Sequence, residues 1–559
     1  MNISALVLKS GEVVYLNKIT VLVGANNAGK SRTLKDIRDL MVSSANAKPV
    51  ILRNIELKMP EYEDLFKGLS VKDSPDSIGI KMVSGINSNL LSTETFQFNP
   101  QSFQQQYESS KQIVLGSISK FRVAHLDSST RLNLALSCAS FNPNSDSPQN
   151  LLQNLYLDKD IERLLQQAFL ESFEHEIKLD YSELQSFCLR VAKELPQIPK
   201  DPQEAYPITK NLSKIDEQGD GYRSFVGIVL GLLLSKDRII LLDEPEAFLH
   251  PAQARYLGKW IVDNSDKFDG QLIISTHNSN LLSGILSKGN AIDIYRLNRK
   301  ENKTTYNLIS AETNTKLSKS PILSSQRVLE SIFHKGVVIC EADADRALYQ
   351  GVASVELNNQ EILFIHAHNK QTIKDIATVL KDSKIPTCAI ADIDILNSKE
   401  DLKKLLDSLS DSDSTELLKH QIKIIKTMAD APESEIFERL KKSVSEFQKQ
   451  LGEDKHTLSG AKSALKRIEH ETTKWAVIKD KGISEFPKEV SSIAHSIVNN
   501  AKKQGLFIVP VGELEGWIDF GTKQKNKWII PALEVVYAKK TPKELIQFVK
   551  EGIDYINNQ

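Results

Sequence analysis

Residues 1–23 alternate apolar and polar positions and then become an apolar run over Ile19-Thr20-Val21-Leu22-Val23. This pattern predicts two or three strands that end at a loop, Gly24 to Ser31. Thr33 to Met41 follows with helical spacing. Signals are mixed from Ser44 to Pro100, with a strand-like piece at Ile78–Val83, and the glutamine-rich patch Gln101–Gln106 reads as a solvated loop. Phe121–Leu126 predicts a strand ending in a polar turn with Asp127 and Arg131; that arginine suits a surface salt bridge or a phosphate contact. Leu151, Leu152, Leu155, Leu164, Leu165 and Phe169 recur at helical spacing, so residues 150–195 read as helical within an insertion spanning about 145–215, packed on itself or on a partner chain. The longest apolar stretch, Phe225–Leu234, predicts a buried helix, and strands follow from Ile239 to the two acids Asp243 and Glu244 and over 271–277, ending in His277.

A polar stretch, Thr313–Leu323, predicts a domain boundary, giving domains 1–320 and 321–559. Beyond it, strands beginning at Gly336 and ending in Glu341, over 362–366, and over 387–394 ending in acids, alternate with helical patterns, which implies a parallel sheet with ligands at the carboxyl ends of its strands. Residues 398–500 read as largely helical and mixed in charge, an insertion between strands or a helical arm. The segment 505–511 returns to strand. The fold class is therefore α/β in both halves, each with a helical insertion.

The loop Gly24-Ala25-Asn26-Asn27-Ala28-Gly29-Lys30-Ser31 sits between strand and helix, the context of a P-loop. Gly24, Asn26, Asn27 and Gly29 let successive N–H groups face one phosphate, Lys30 reaches the β- and γ-phosphates, and Ser31 ligates Mg²⁺. Gly219 and Gly221 lie at the start of the apolar helix and suit a second phosphate-contacting surface; a plain helix cap by Asp220 or Ser224 is the bland alternative. In Leu242-Asp243-Glu244-Pro245-Glu246, Asp243 would hold Mg²⁺ through water and Glu244 would deprotonate the attacking water. His277, at the end of the next strand, is placed to contact the γ-phosphate.

Composition narrows the setting. At 559 residues the chain exceeds one ordinary core. With 71 basic and 72 acidic residues, net charge −1, no global charge announces a nucleic-acid partner. Cys138, Cys188, Cys340 and Cys388 are scattered, which argues against zinc and disulfides and fits a reducing cytoplasm. Nothing resembles a signal peptide or a membrane span.

P-loop, glycine-rich segment, Leu241-Leu242-Asp243-Glu244-Pro245-Glu246 and Ser275-Thr276-His277, in this order, resemble an ATP-binding-cassette (ABC) ATPase. The glycine-rich segment departs from the usual signature, with Asp220 between the glycines and no preceding serine. In such ATPases one subunit's signature caps the nucleotide of another, so the resemblance implies a homo-oligomer, dimer or tetramer. No long heptad array is present, which sets the chain apart from the coiled-coil members of that class.

In the second half, Glu341 follows a buried strand, Asp345 lies four residues on, and Asp392 and Asp394 stand two apart, so that on a strand they face one side. Gathered carboxylates call for cations, and hard oxygen ligands suit Mg²⁺ or Mn²⁺. Helix caps and solvated turns are the bland alternative. This set resembles a Toprim domain, and an ABC-type ATPase followed by Toprim is similar to the OLD (overcoming lysogenization defect) family. Ala342 and Asn369 stand where many relatives have glycine. The resemblance implies that Glu513 or Glu515, in Gly512-Glu513-Leu514-Glu515, completes the metal cluster, and that a lysine among Lys523, Lys525 and Lys527, Lys527 foremost, stabilises the phosphate.

It implies an ATP-dependent, Mg²⁺-dependent DNA endonuclease, by analogy an anti-phage effector of the Gabija-type or retron-associated kind. The partners would be DNA and, in the retron case, a reverse transcriptase with its RNA–DNA product, or another defence-system protein. A nucleotide-switched DNA-binding scaffold and a topoisomerase- or primase-like enzyme are the alternatives. The second lacks a tyrosine module or zinc ribbon in this sequence.

Overall fold

The computed structural model describes the chain except residues 44–45, 269, 289–291, 302, 321–322, 368–369, 431–433, 452–460, 463–464, 466–467, 469–473 and 522–524. It forms two compact units, Met1–Phe333 and His334–Gln559.

The first unit is built on a six-stranded sheet. Its strands are β1 (Ile19–Val23), β2 (Val123–Leu126), β3 (Ile239–Asp243), β4 (Gln271–Ser275), β5 (Asp293–Lys300) and β6 (Lys303–Ile309). The order is β6-β5-β1-β4-β3-β2, and every pair is parallel except β5–β6. Strands β1 and β4 are buried at every position, which is why they read as continuous rather than alternating apolar runs. Three helices matter for the site: α1 (Lys30–Val42), α2 (Ser128–Leu134) and α3 (Asp220–Leu234). Leu34 and Ile37 of α1 pack with Leu22, Leu241 and Ile273 of the sheet in one core.

Parts of this unit differ from the sequence-based expectation. Gln101–Gln106 belong to a helix, Pro100–Ser109, not a loop. Asn99 caps it by accepting from the Ser102 N–H, and Phe103 and Tyr107 bury one face against Phe98 and Phe121 while the glutamines take the other positions. Residues 150–195 are helical only as far as Phe173. Glu174 ends the second helix with φ 55°, and Glu176–Asp180 then pairs antiparallel with Ser186–Ala192. Ile177 and Leu179 are buried while Glu176 and Lys178 are half-exposed, a period of two that the preceding leucines masked. The polar stretch read as a boundary holds a helix, Ala311–Lys319, capped by Ser310 and burying Leu317. The two units part further on, after Phe333.

The second unit carries a four-stranded, wholly parallel sheet of β7 (Gly336–Cys340), β8 (Ile362–His366), β9 (Thr387–Ala391) and β10 (Leu506–Ile508). The order is β8-β7-β9-β10. Its helices include α4 (Asp343–Val355), α5 (Lys370–Asp382), α6 (Lys474–Lys481) and α7 (Lys525–Tyr537). The long insertion lies between β9 and β10, and its described residues are helical, α6 among them. Trp517, Trp528, Tyr349 and Phe548 pack on β7 and β10 in the core. Among the described residues, no helix is long and apolar enough to cross a membrane.

Candidate active sites

In the first unit, the strand order brings the ends of β1, β4 and β3 side by side, so the loop after each meets the others. At Gly24, φ is 139° and a Cβ would lie 2.4 Å from the Leu297 carbonyl oxygen; at Gly29, φ is 105° and a Cβ would lie 2.6 Å from Ile51 Cδ1. Only glycine fits either position. Asn27 is left-handed with φ 63°, and Asn26 and Asn27 are exposed at the loop tip. Lys30 and Ser31 begin α1, whose free N–H groups face the loop. Lys30 Nζ donates to the carbonyls of Gly24 at 2.8 Å and Ala25 at 3.0 Å. Burial lowers its pKa, against the opposing pull of Glu244, Glu246 and Asp243.

Asp243 stands opposite Ser275 on the neighbouring strand and accepts from the Ser275 hydroxyl. Glu244, one residue on, has φ 47°, an uncommon conformation for a residue with a side chain. Its Oε1 lies 3.1 Å from His277 Nδ1. That hydrogen bond is the main reason the Glu244 pKa is lowered and the His277 pKa raised. Glu246, buried, accepts from Thr276 Oγ1 at 2.7 Å and from the His277 N–H at 3.1 Å, and so sets the course of the histidine loop. Its pKa is raised by burial despite these bonds.

Arg131 is neither a surface salt bridge nor a free phosphate ligand, which corrects the expectation for it. The side chain is fully buried. Its guanidinium donates to the carbonyls of Leu126 at 2.9 Å, Asp243 at 2.5 Å and Glu244 at 3.0 Å, and to Ser224 Oγ at 3.2 Å. Burial brings its pKa down to about 10, still a cation near neutrality. One buried cation thus holds the turned backbone at Glu244 and ties it to α3. Gly219 caps α3 in an extended conformation, with open space where a Cβ would be. Gly221 is crowded: a Cβ there would lie 2.8 Å from the Phe248 carbonyl oxygen. Asp220, between them, pairs with Arg223 on its own helix.

In the second unit the acids collect at the carboxyl edge of the sheet. Glu341 follows β7 directly, and Asp345 lies in the first turn of α4, where Oδ2 accepts from the Ala342 N–H at 2.9 Å. One oxygen of Asp345 therefore does act as a helix cap. Asp392 and Asp394 do not share a strand face as expected. Strand β9 stops at Ala391, and Asp394 lies in a 3-10 turn, Ile393–Asn397, held by the Ile393 N–H bonding to the Gly512 carbonyl at 3.0 Å. They converge all the same, because a lysine of the insertion reaches both. Lys479 Nζ, on α6, lies 3.2 Å from Asp394 Oδ2, 4.0 Å from Asp392 Oδ2 and 4.0 Å from Glu513 Oε2. Burial works against its charge, but Asp394, Asp392 and Glu513 outweigh it and the pKa is raised. Glu515 is buried in the turn Leu514–Trp517.

Among the described residues, no three His, Cys, Asp or Glu side chains are close enough together to hold one ion. The carboxylates surround an ammonium instead. The donor set, all carboxylate oxygen and already gathered around one positive charge, is of the kind a divalent cation takes. Lys527 is exposed in the first turn of α7, while Lys523 and Asn369 lie outside the described residues. The lysine brought to the acids is thus Lys479. No sequence signal marks it within a lysine-rich helical stretch. Arg131 was visible only as a residue type, and the role of Glu246 follows from its bonds to the histidine loop.

Comparison with known proteins bears on both units. Residues 19–283 match the family profile of an AAA domain named for the AbiEii toxin of a type IV TA system. Residues 332–394 match the overcoming lysogenization defect protein-like TOPRIM domain. An AAA domain followed by an OLD-like TOPRIM domain is what the two matches show of this chain. A similar protein is the Old nuclease of Escherichia phage P2, 26% identical over 300 residues, which are 52% of this chain and 44% of that protein. A stretch of 100 residues also matches the "Probable ABC transporter ATP-binding protein p29" of Mesomycoplasma hyorhinis, 32% identical, 17% of this chain and 39% of the other. The chain spans less than half the length of the curated relatives it matches. Among solved structures, an SMC head bound to the C-winged helix domain of ScpA aligns with 56% of this chain and all of its own, at 14% identity and a TM-score of 0.33. The SMC head domain from Thermotoga maritima aligns over the same shares at 13% identity and a TM-score of 0.29. The ATPase and TOPRIM domains imply the use of nucleotide and divalent metal.

Proposed function

We propose that this chain is an OLD-family, ATP-hydrolysing, divalent-metal-dependent DNA endonuclease that works as a homo-oligomer in the cytoplasm. One observation carries the reading: the P-loop, Asp243, Glu244 and His277 meet at one sheet edge within the stretch that matches an AAA domain, and Glu341, Asp345, Asp392 and Asp394 lie at the edge of a parallel sheet within the stretch that matches an OLD-like TOPRIM domain. At the ATPase unit (1–320 by sequence, closing at Phe333 in the fold), the P-loop N–H groups and α1 cradle the phosphates, and Lys30 exchanges its loop carbonyls for phosphate oxygens. Ser31 and Asp243 hold Mg²⁺, Glu244 takes the proton of the attacking water, and His277 faces the γ-phosphate. Gly219 and Gly221 face the nucleotide of a second copy. The departure of Gly219-Asp220-Gly221 from the usual signature supports slow turnover, in which ATP acts as a switch.

At the TOPRIM unit, Glu341, Asp345, Asp392, Asp394 and Glu513 would hold Mg²⁺ or Mn²⁺. Bound there, the metal supplies an activated water and stabilises the leaving oxygen of a phosphodiester. The chain's own part is to gather the carboxylates at a sheet edge and to set a lysine beside them. Lys527 remains a candidate for contact with the phosphate once DNA is bound. An anti-phage role fits the family, with a retron reverse transcriptase and its RNA–DNA product, or another defence-system protein, as partner.

The test is cleavage of supercoiled plasmid with Mg²⁺ or Mn²⁺, with and without ATP, by wild type, Glu341→Ala and Lys30→Ala. Wild type cuts, Glu341→Ala does not, and Lys30→Ala loses only the response to ATP. Cleavage that survives Glu341→Ala sinks the assignment of the nuclease centre.

A further inference from the structure

The cations at the P-loop edge of the first unit are mostly committed. Arg131 spends its guanidinium on three carbonyls and Ser224 Oγ. Arg32, next to Ser31, is held by Asp36 at 2.7 Å and by the Lys48 carbonyl at 3.2 Å. His277 is paired with Glu244. Lys30 is left, and three carboxylates, Glu244, Glu246 and Asp243, act on its charge. Negative charge spreads over the oxygens of a γ-phosphate as it is transferred, and a guanidinium aimed at those oxygens is a strong stabiliser.

Arg223 is a guanidinium of this unit without a firm anchor. It stands one turn into α3, just past Gly219 and Gly221, with 24% of its side chain exposed. Its Nη2 donates to Asp220, three residues back on the same helix and itself exposed. Its Nε is buried and has no hydrogen-bond partner among the described residues. An ion pair so open to water holds little. The next residue, Ser224, is buried and bound to Arg131, which grips the Asp243 and Glu244 carbonyls. One turn of α3 therefore sets Arg223 at the surface and ties its neighbour to the backbone of Glu244.

The adjoining loop is strained where it meets this turn. The Phe248 carbonyl oxygen is the atom that crowds Gly221. Phe248 has φ 72°, rare for a bulky residue, and its ring is half-exposed. Strain of this kind persists where function sets the conformation.

We propose that Arg223 is the cation that one copy of this chain gives to the γ-phosphate of a second copy's nucleotide, which rests on the reading that Gly219 and Gly221 face that nucleotide. The guanidinium leaves Asp220 for phosphate oxygens, a charge-assisted exchange. The water oxygen bonds to the γ-phosphorus as the bond to the bridging oxygen breaks. Glu244 takes the proton, and the partner's Arg223 meets the charge on the transferred oxygens. Asp220 then has a role of its own: it parks the arginine while the facing site is empty.

The test joins two inactive variants of the full-length chain. Arg223→Ala is expected to lower phosphate release from ATP by on the order of 10³-fold, while a fluorescent ATP analogue binds as in wild type. Glu244→Gln is the second inactive parent. The two are co-expressed with different affinity tags and purified as mixed oligomers. A mixed pair holds one site with its own Glu244 and a facing Arg223, so it is expected to recover about half of the wild-type rate. A Lys30→Ala and Glu244→Gln pair stays inactive, because both residues serve the nucleotide of their own chain. No recovery in an Arg223→Ala mixture whose chains bind the analogue overturns the inference, and wild-type hydrolysis in the same assay leaves the ATPase reading standing. Arg223→Gln, which stays polar without the charge, takes over the pairing if Arg223→Ala does not fold. A wild-type rate in either Arg223 variant alone also overturns the inference. A wild type that hydrolyses no ATP overturns it together with the reading beneath it.

Discussion

The two sheet edges solve the same problem, gathering acids next to phosphate chemistry, in opposite ways. In the first unit the acids are held from behind. Arg131 is fully buried and grips the backbone of Asp243 and Glu244, so it leaves their carboxylates to other partners, Ser275 and His277. In the second unit the acids are held from in front: Lys479 meets the carboxylates themselves. A cation bound to carbonyls organises a site without occupying it. A cation bound to carboxylates organises it by taking up part of its capacity. In the first unit the arginine leaves the carboxylates to neighbouring side chains, and in the second a lysine already meets part of their charge.

That contrast can be broken most sharply at the centres. Glu341→Ala is expected to lower plasmid cleavage by on the order of 10³-fold, the weight of several kcal/mol of charge stabilisation. A plasmid assay with the folded variant checks it. Glu244→Gln should cut ATP hydrolysis by about 10²- to 10⁴-fold, the usual range for a general base, while a fluorescent ATP analogue still binds. Arg131→Met separates holding from chemistry. It is expected to cost the first unit about 1.5–3 kcal/mol, since it removes charge-assisted bonds to buried carbonyls, and to lower the turnover number more than nucleotide affinity. In a Glu244→Gln background it should lower hydrolysis no further, because the backbone it holds then carries no base; denaturant melts and steady-state kinetics read both.

The smallest effect concerns pH. The folded-state pKa of His277 is raised above its ordinary value of 6.5, chiefly by the bond to Glu244. A raised pKa means stability that is fully present below pH 6.5 and lost as pH rises through the folded value. The melting temperature of wild type should exceed that of His277→Gln at pH 6 by more than it does at pH 8. A gap that widens with pH would overturn the assignment of charge to this pair.

Much of this was legible in the sequence because it is local. Gly24, Gly29 and Lys30 sit within one loop, and Asp243 and Glu244 end one apolar strand, so spacing alone located the turn and the strand end that carry them. The Glu176–Asp180 hairpin was not legible, because the leucines before it carry a stronger helical period than its own short alternation. Nor was the glutamine-rich helix, whose two buried aromatics are too few to set a pattern. Arg131 and Lys479 act across 112 and 85 residues of chain, onto Asp243 and Asp394 respectively. Contacts that distant leave no periodic trace, and a lysine among many lysines carries no mark of the one acid cluster it meets. Asp394 was expected beside Asp392 on a shared strand face, and the structure sets it instead in a turn held by the Gly512 loop, with Lys479 reaching both acids.

Gly482, just after α6, and Gly512, in the loop bearing Glu513, have a consequence for how such a chain can be altered: a Cβ at the first would lie 2.3 Å from the Pro510 carbonyl oxygen and one at the second 2.1 Å from the Lys479 carbonyl oxygen. Because the end of α6 is pinned to that loop partway along the insertion, ahead of the helix Lys488–Lys503, the helices before it can lengthen, shorten or change their surface while Lys479 stays in register with the acids. A protein engineer could graft new surfaces there and leave the sheet edge as it is.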